Sequence, residues 1–238
     1  MGSCCTTANE EYEALKVDNA AVVVNTRMTK DVFTKGAPES SSTAAGANGQ
    51  TEAFRRVESM ININPESLKS VNKKLGLFPK EKLKKIDLDG VVEVGPVEYI
   101  ATQAVYKGQM KNGLRHGYGV QVWTDGSKYE GEWKNDKTNG YGRLIHSDGD
   151  VYEGEWIDDT ACGIGKYYHV QGAVYEGQWK NDYQEGKGKE TWPDGTYYEG
   201  DYSKGKKEGK GKFFWVDGSY YYGDFKDNNI NGRGILIF

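Results

Sequence analysis

The chain of 238 residues opens Met1-Gly2-Ser3-Cys4-Cys5-Thr6, and these positions carry its clearest covalent chemistry. Removal of Met1 leaves a glycine whose unhindered amine accepts a myristoyl chain, with Thr6 where that pattern calls for Ser or Thr. Cys4 and Cys5 stand beside it as thiols for palmitoylation, so Gly2, Cys4 and Cys5 are the expected lipidation residues. Two chains matter more than one. A lone myristoyl group binds a bilayer at only about 10⁴ M⁻¹, whereas a second makes attachment stable.

The other reactive side chains do not assemble into a centre. His116, His146 and His169 occupy non-equivalent positions, and Cys162 lies beside Gly163 with no base partner in its surroundings. Neither a Cys/His nucleophile nor a metal knuckle is expected. Asp125, Asp148, Asp194 and Asp217 each precede a glycine, so turn chemistry accounts for them before metal binding does. The many Gly-x-Gly pairs lack the strand-to-helix setting and the lysine of a phosphate loop. The expectation is a non-enzymatic protein with no cofactor and no metal.

Composition points the same way. Net charge is -4, hydrophobic residues make up 37% and glycines number 32, a glycine- and aromatic-rich balance that favours strands and tight turns over packed helices. No run approaches the roughly 18 apolar residues of a membrane span, and the N-terminus lacks the apolar core of a secretory signal. The protein is therefore expected on the cytosolic side. Residues 106–238 carry 18 Lys/Arg against 21 Asp/Glu, a balance that disfavours nucleic acid. Residues 69–85 are the one basic stretch: Lys69, Lys73, Lys74, Lys80, Lys82, Lys84 and Lys85 against Glu81. Near an anionic leaflet each lysine would add about 1 kcal/mol; the other reading is a solvated helix face.

What positions the C-terminal half is a repeat. Tyr106, Tyr129, Tyr152, Tyr175, Tyr198 and Tyr221 recur every 23 residues, each followed two residues on by glycine. Four residues on stands Met110, Trp133, Trp156, Trp179, Tyr202 or Phe225, and a Gly-x-Gly pair closes each unit, as in Gly140/Gly142. Tyr129-Glu-Gly-Glu-Trp133 alternates with period two, which puts Tyr and Trp on one face and Glu130 and Glu132 on the other. Asp148-Gly149 and its copies read as two-residue hairpin turns. Each unit is thus a hairpin of two strands of about six residues. Stacked hairpins bury a ladder of Tyr129, Trp133, Tyr152, Trp156, Tyr175, Trp179, Tyr198 and Tyr202, either as packing or as the wall of a groove.

The Tyr-x-Gly-x-Trp, Gly-x-Gly and Asp-Gly pattern over residues 106–238 resembles the MORN (membrane occupation and recognition nexus) repeat. The resemblance implies an elongated single-layer antiparallel sheet used for membrane association, protein scaffolding and dimerisation. It also implies, by analogy with acylated relatives, the plasma membrane or a cortical inner membrane complex. MORN arrays also accompany kinases and a methyltransferase, but the sixth copy stops at Phe238, so no catalytic domain is expected to follow.

The organisation expected is an acylated, largely disordered tail over 1–51, short basic helices over 52–90, lead-in strands over 91–105, and the array over 106–238. One helix is expected from Asn64 to Leu75, stopped by Gly76, and a second over Pro79–Ile86. Together they would cap the edge of the sheet. The function expected is a membrane-tethered scaffold that recruits a protein partner. The alternatives are a phosphoinositide-binding module using Lys107, Lys111, Arg115 and residues 204–212, or a regulatory subunit of a membrane enzyme. The apolar strand Ile235-Leu236-Ile237-Phe238 would be an open edge, favouring a homodimer.

Overall fold

A computed structural model describes residues 71, 73–84, 89–99 and 102–238. Gly2, Cys4, Cys5, Lys69, Lys85 and the expected tail lie outside the described residues. The described residues form one antiparallel sheet, and every strand pairs with its neighbours in sequence. The strands are β1 (Val91–Tyr99), β2 (Ala104–Lys111), β3 (Leu114–Val122), β4 (Lys128–Lys134), β5 (Lys137–Ile145), β6 (Val151–Ile157) and β7 (Thr160–Tyr168). They continue as β8 (Val174–Lys180), β9 (Tyr183–Thr191), β10 (Tyr197–Ser203), β11 (Lys206–Phe214), β12 (Tyr220–Lys226) and β13 (Asn229–Ile237). At about 4.8 Å per strand such a sheet runs roughly 58 Å, about twice the length of its strands, from a single layer. Pro96 sits in β1, an edge strand, where its missing N–H costs no ladder bond.

The aromatic ladder supplies the core. Tyr129 meets Trp133 edge-on at 5.1 Å and Trp156 at 5.5 Å between ring centroids, and Tyr152 stands in the same way between Trp156 and Trp179. Each such pair adds about 0.5–1.5 kcal/mol beyond its buried area. The Tyr129 hydroxyl donates to the carbonyl of Glu132 at 2.9 Å, and Tyr152 and Tyr175 make the same bond to Glu155 and Gln178. Each indole reaches back to the preceding unit: Trp133 Nε1 donates to the Gly119 carbonyl, Trp156 to Gly142 and Trp179 to Gly165, all at 3.2 Å. Glycine is required where the tyrosine ring lies. A methyl group at Gly142 would overlap the Tyr129 ring, and one at Gly131 would overlap the backbone of Gly142.

Two turn types alternate, and their places differ from the sequence expectation. The two-residue turns are Asn112-Gly113, Asn135-Asp136, Asp158-Asp159, Asn181-Asp182, Lys204-Gly205 and Asp227-Asn228, where both residues have φ between 47° and 80°. That is the geometry of a type I′ hairpin. At Asp148-Gly149 only the glycine is left-handed. The Asp148 carboxylate instead accepts the Asp150 N–H at 3.1 Å, and the loop closes through Gly149 N–H to His146 O and His146 N–H to Asp150 O. An Asx turn inside a five-residue loop therefore replaces the expected two-residue one. The tight turns also tie neighbouring units. Asp136, Asp159 and Asp182 accept the N–H groups of Arg115, Thr138 and Ala161 at 2.7 Å, and each returns its own N–H to the same residue's carbonyl.

Between Gly131 and Trp133 the register slips. Gly140 takes φ +78° there, and the Glu132 carboxylate folds over to accept the Tyr141 N–H at 2.5 Å. Glu155 on Ile164, Gln178 on Lys187, Asp201 on Lys210 and Asp224 on Arg233 repeat the device. Glu132 alone of these is nearly fully buried, because on the outward face it is covered by the chain at Lys84, whose N–H it also accepts.

Replacing Gly142 by alanine should lower unfolding free energy by about 1–3 kcal/mol through overpacking against Tyr129. Urea denaturation checks this; an unchanged midpoint would remove the ring-on-glycine contact from the account.

Candidate protein-binding surface

The sheet has two unlike faces. One holds the ladder and is closed: Tyr129, Trp133, Tyr152, Trp156, Tyr175, Trp179, Tyr198 and Tyr202 are all buried. These residues pack against one another and line no open groove. The opposite face carries Tyr118 and Tyr141, with Glu130, Glu153 and Arg143 beside them in register. Across it lies the chain's own segment 71–84.

The segment ends a helical turn at Leu75 and turns through Gly76, φ +75°, a left-handed helix stop that glycine adopts without a Cβ penalty. It then runs over the sheet with a single 3-10 turn, Lys80–Lys82. The helix expected over Pro79–Ile86 is absent from the described part, 79–84. Side-chain anchors hold it instead, and it crosses the face of β3 to β7 rather than capping an edge. Phe78 is buried between the rings of Tyr118 and Tyr141, with centroids at 6.4 and 6.1 Å. Val71 packs with Ile145 and Val151. Arg143 donates to the Gly76 carbonyl at 2.9 Å and lies 5.9 Å from the Phe78 ring.

The lysines follow at alternate positions. Lys80 sits 4.5 Å over the Tyr118 ring. Lys82 donates to the Tyr141 hydroxyl at 2.8 Å and pairs with Glu153 at 3.4 Å. Lys84 offers its N–H to Glu132 at 2.9 Å and its ammonium to Glu155 at 3.2 Å. Lys73 and Lys74 remain exposed. Three of the expected membrane-contact lysines thus face the sheet.

Magnitudes show what holds the segment. Lys82 and Lys84 are more than half exposed, and such ion pairs contribute at most about 1 kcal/mol each. Burying Phe78 contributes about 2 kcal/mol. The Arg143–Glu153 pair beneath is different: its side chains are only 5% and 11% exposed, so removing either partner would strand a charge. It belongs to the sheet, while the segment above is a lightly held strap.

Glu153 collects four donors. Burial works to raise its pKa, but the Tyr141 hydroxyl, Arg143 and Lys82 outweigh burial and hold the carboxyl below its ordinary range. Glu155 is lowered by the Ile164 N–H first and by Lys84. Burial and the bond to Glu153 push the Tyr141 hydroxyl far up, so it stays a donor.

The remaining candidates sit apart. Cys162 is half-buried near the Thr160 hydroxyl, 3.6 Å away. Burial lowers the His146 pKa, and His169 lies 3.8 Å from Asp150. Among the described residues no group of three or more His, Cys, Asp or Glu could hold a metal ion, and no helix is long and apolar enough to cross a membrane. Arg115 is not available to a headgroup: it bonds Asp136 and Gln121 and lies 4.3 Å over Trp133. In unit five, Lys206, Lys207 and Lys210 are paired with Asp227, Glu190 and Asp224. On β13, Ile235 and Ile237 are exposed, as is Phe238 just beyond it, while Leu236 packs on the ladder.

This geometry defines a solenoid of repeated hairpins. The MORN-repeat family model matches it at residues 106–128, 129–151, 152–174, 175–197, 198–220 and 221–238, and the chain belongs to the MORN-repeat family. That family is a repeat family, not a catalytic one. No curated protein sequence matches the chain. Among solved structures, the G-box domain of the microcephaly protein CPAP is 10% identical, covering 60% of this chain and 73% of that one at TM-score 0.39. The TCP domain of Drosophila melanogaster SAS-4, solved with a proline-rich motif of Ana2, is 14% identical, covering 63% and 73% at TM-score 0.33. The TCP10 domain of Danio rerio CPAP is 13% identical, covering 63% and 83% at TM-score 0.28. Scores this low bring nothing of those proteins' function to this chain.

A carboxyl with a depressed pKa contributes stability above its ordinary pKa, and that contribution disappears as pH falls through the folded value. Glu153 and Glu155 should therefore strengthen the strap's hold at neutral pH and loosen it as pH falls below the ordinary carboxylate range, with the Phe78 contact left in place. Hydrogen exchange of residues 76–84, corrected for intrinsic rates, should show protection falling there while strand β6 stays protected. Protection independent of pH would mean that the carboxylates do not hold the strap.

Proposed function

We propose that this protein is a non-enzymatic adaptor: acyl chains on Gly2, Cys4 and Cys5 hold it on the cytosolic face of a membrane, and its MORN array engages segments of partner proteins. One observation carries the array's part. The sheet already grips a linear segment, 71–84, through side-chain contacts repeated with the 23-residue period. A surface that holds its own chain in this way has the chemistry to hold another's. Membership of a family of membrane and protein-interaction repeats supports the same reading. Direct lipid binding by the array is the weaker reading, because Arg115 and three of the lysines of unit five, Lys206, Lys207 and Lys210, already have carboxylate partners.

The anchoring half rests on the sequence Gly2-Ser3-Cys4-Cys5-Thr6 and the need for two acyl chains. The exposed strand end Ile235–Phe238 supports pairing with a second copy. The plasma membrane or a cortical inner membrane complex is the compartment proposed.

A full-length chain carrying Gly2→Ala, Cys4→Ser and Cys5→Ser should move from the membrane to the soluble fraction. Its partners, recovered by affinity capture with the array intact, should be unchanged. Membrane retention equal to wild type would sink the anchor, and capture of no protein by the wild-type array would sink the adaptor.

A further inference from the structure

The strap contributes no strand to the sheet, and its backbone makes few bonds to it. Beyond Val71 on Ile145 and Val151 and the Arg143 bonds to the Gly76 and Leu77 carbonyls, contact is made by one aromatic residue and by lysines two, four and six positions later: Phe78, Lys80, Lys82 and Lys84. That is the manner of a bound linear peptide, with an anchor in a pocket and alternate side chains read along a groove. The receiving surface is equally regular. Tyr118 and Tyr141 form twin aromatic plates 23 residues apart, and Glu132, Glu153 and Glu155 supply carboxylates along their flank.

Side-chain type restricts this surface to units one and two and the first strand of unit three. At the positions of Tyr118 and Tyr141, the second strands of units three to six carry Ile164, Lys187, Lys210 and Arg233. A lysine-bearing segment fits the first half of this face and is repelled by the second. The strap is also lightly held. Leu77 is 86% exposed, and the lysines face water on one side.

We propose that this face of units one to three is a docking groove for a segment of another protein, and that strap 76–84 is its resident stand-in. The segment it fits has an aromatic residue followed by lysines at alternate positions. The proposal rests on the adaptor reading above and names its partner's chemistry. The tethered strap acts as a competitor at high effective concentration, so a partner must displace it.

The test uses the full chain and a fluorescent synthetic peptide with the sequence of residues 71–84. Phe78→Ala with Lys82→Ala in the chain removes the resident anchor without touching the groove. Anisotropy should then show the peptide binding this variant more than about tenfold tighter than wild type, because the internal competitor is gone. Glutamate at the peptide's three alternate lysines, or alanine at its phenylalanine, should abolish binding, and neither control alters the protein's fold. Equal binding to wild type and variant, or binding indifferent to the peptide's phenylalanine, overturns the proposal. So does a wild-type dimer that dissociates on Phe78→Ala, since the occupant would then be a second copy's strap. Partners captured by the array in the absence of any peptide binding would overturn the groove and leave the adaptor standing.

Discussion

The fold depends on a tyrosine ring lying where two glycines have left the backbone bare. Tyr129 crosses Gly131 and Gly142, bonds the Glu132 carbonyl and presents its two edges to Trp133 and Trp156. Remove the glycine and the ring has no seat. Remove the ring and the tryptophans on either side lose their shared neighbour. Because the seat is made by two adjacent strands and the stack by two adjacent units, one contact fixes both the hairpin and its place in the array. A single-layer sheet has no second layer to pack against; the ladder stands in for it.

That solution assigns the two faces different tasks. The ladder face spends its apolar surface on cohesion and offers nothing outward. The opposite face is free to vary, and it does: tyrosine plates in units one and two, an isoleucine in unit three, and lysine or arginine in units four to six. The carboxylates have two roles at once. Glu132 caps the Tyr141 N–H at the left-handed Gly140 and also accepts the Lys84 N–H. Structural necessity thus places acceptors at fixed intervals along the face.

The array was legible in the sequence because its causes are local and repeated six times. Tyr, Gly and Trp at fixed spacing leave few other ways to bury the rings, and the sheet follows the period-two reading of Tyr129 to Trp133. The turns were less legible. Asp-Gly and Asn-Asp both tolerate hairpin geometry, but the Asp148 side chain caps Asp150 within a five-residue loop, and the two-residue turns fall at the other end of the strands, as at Asn135-Asp136 and Asp158-Asp159. The strap was misread for a different reason. Lys80, Lys82 and Lys84 suggested a helix face, yet their spacing of two matches an extended chain facing a carboxylate row. That complementarity joins residues about 70 positions apart, as Lys82 and Glu153, and no local pattern announces it. Phe78 and Pro79, an aromatic anchor and a residue that resists helix, were the available signals.

A linear array ordinarily couples only nearest neighbours, so unfolding can spread along it one unit at a time. The strap breaks that rule at one end. Touching Tyr118, Tyr141, Glu155 and Val151 together, it makes units one to three a single cooperative block, while units four to six keep the graded fraying of a simple stack. Whatever lifts the strap therefore changes more than access to one face. It returns half of the molecule to the softer, neighbour-by-neighbour regime, so occupancy of the groove would be felt as stiffness along the sheet.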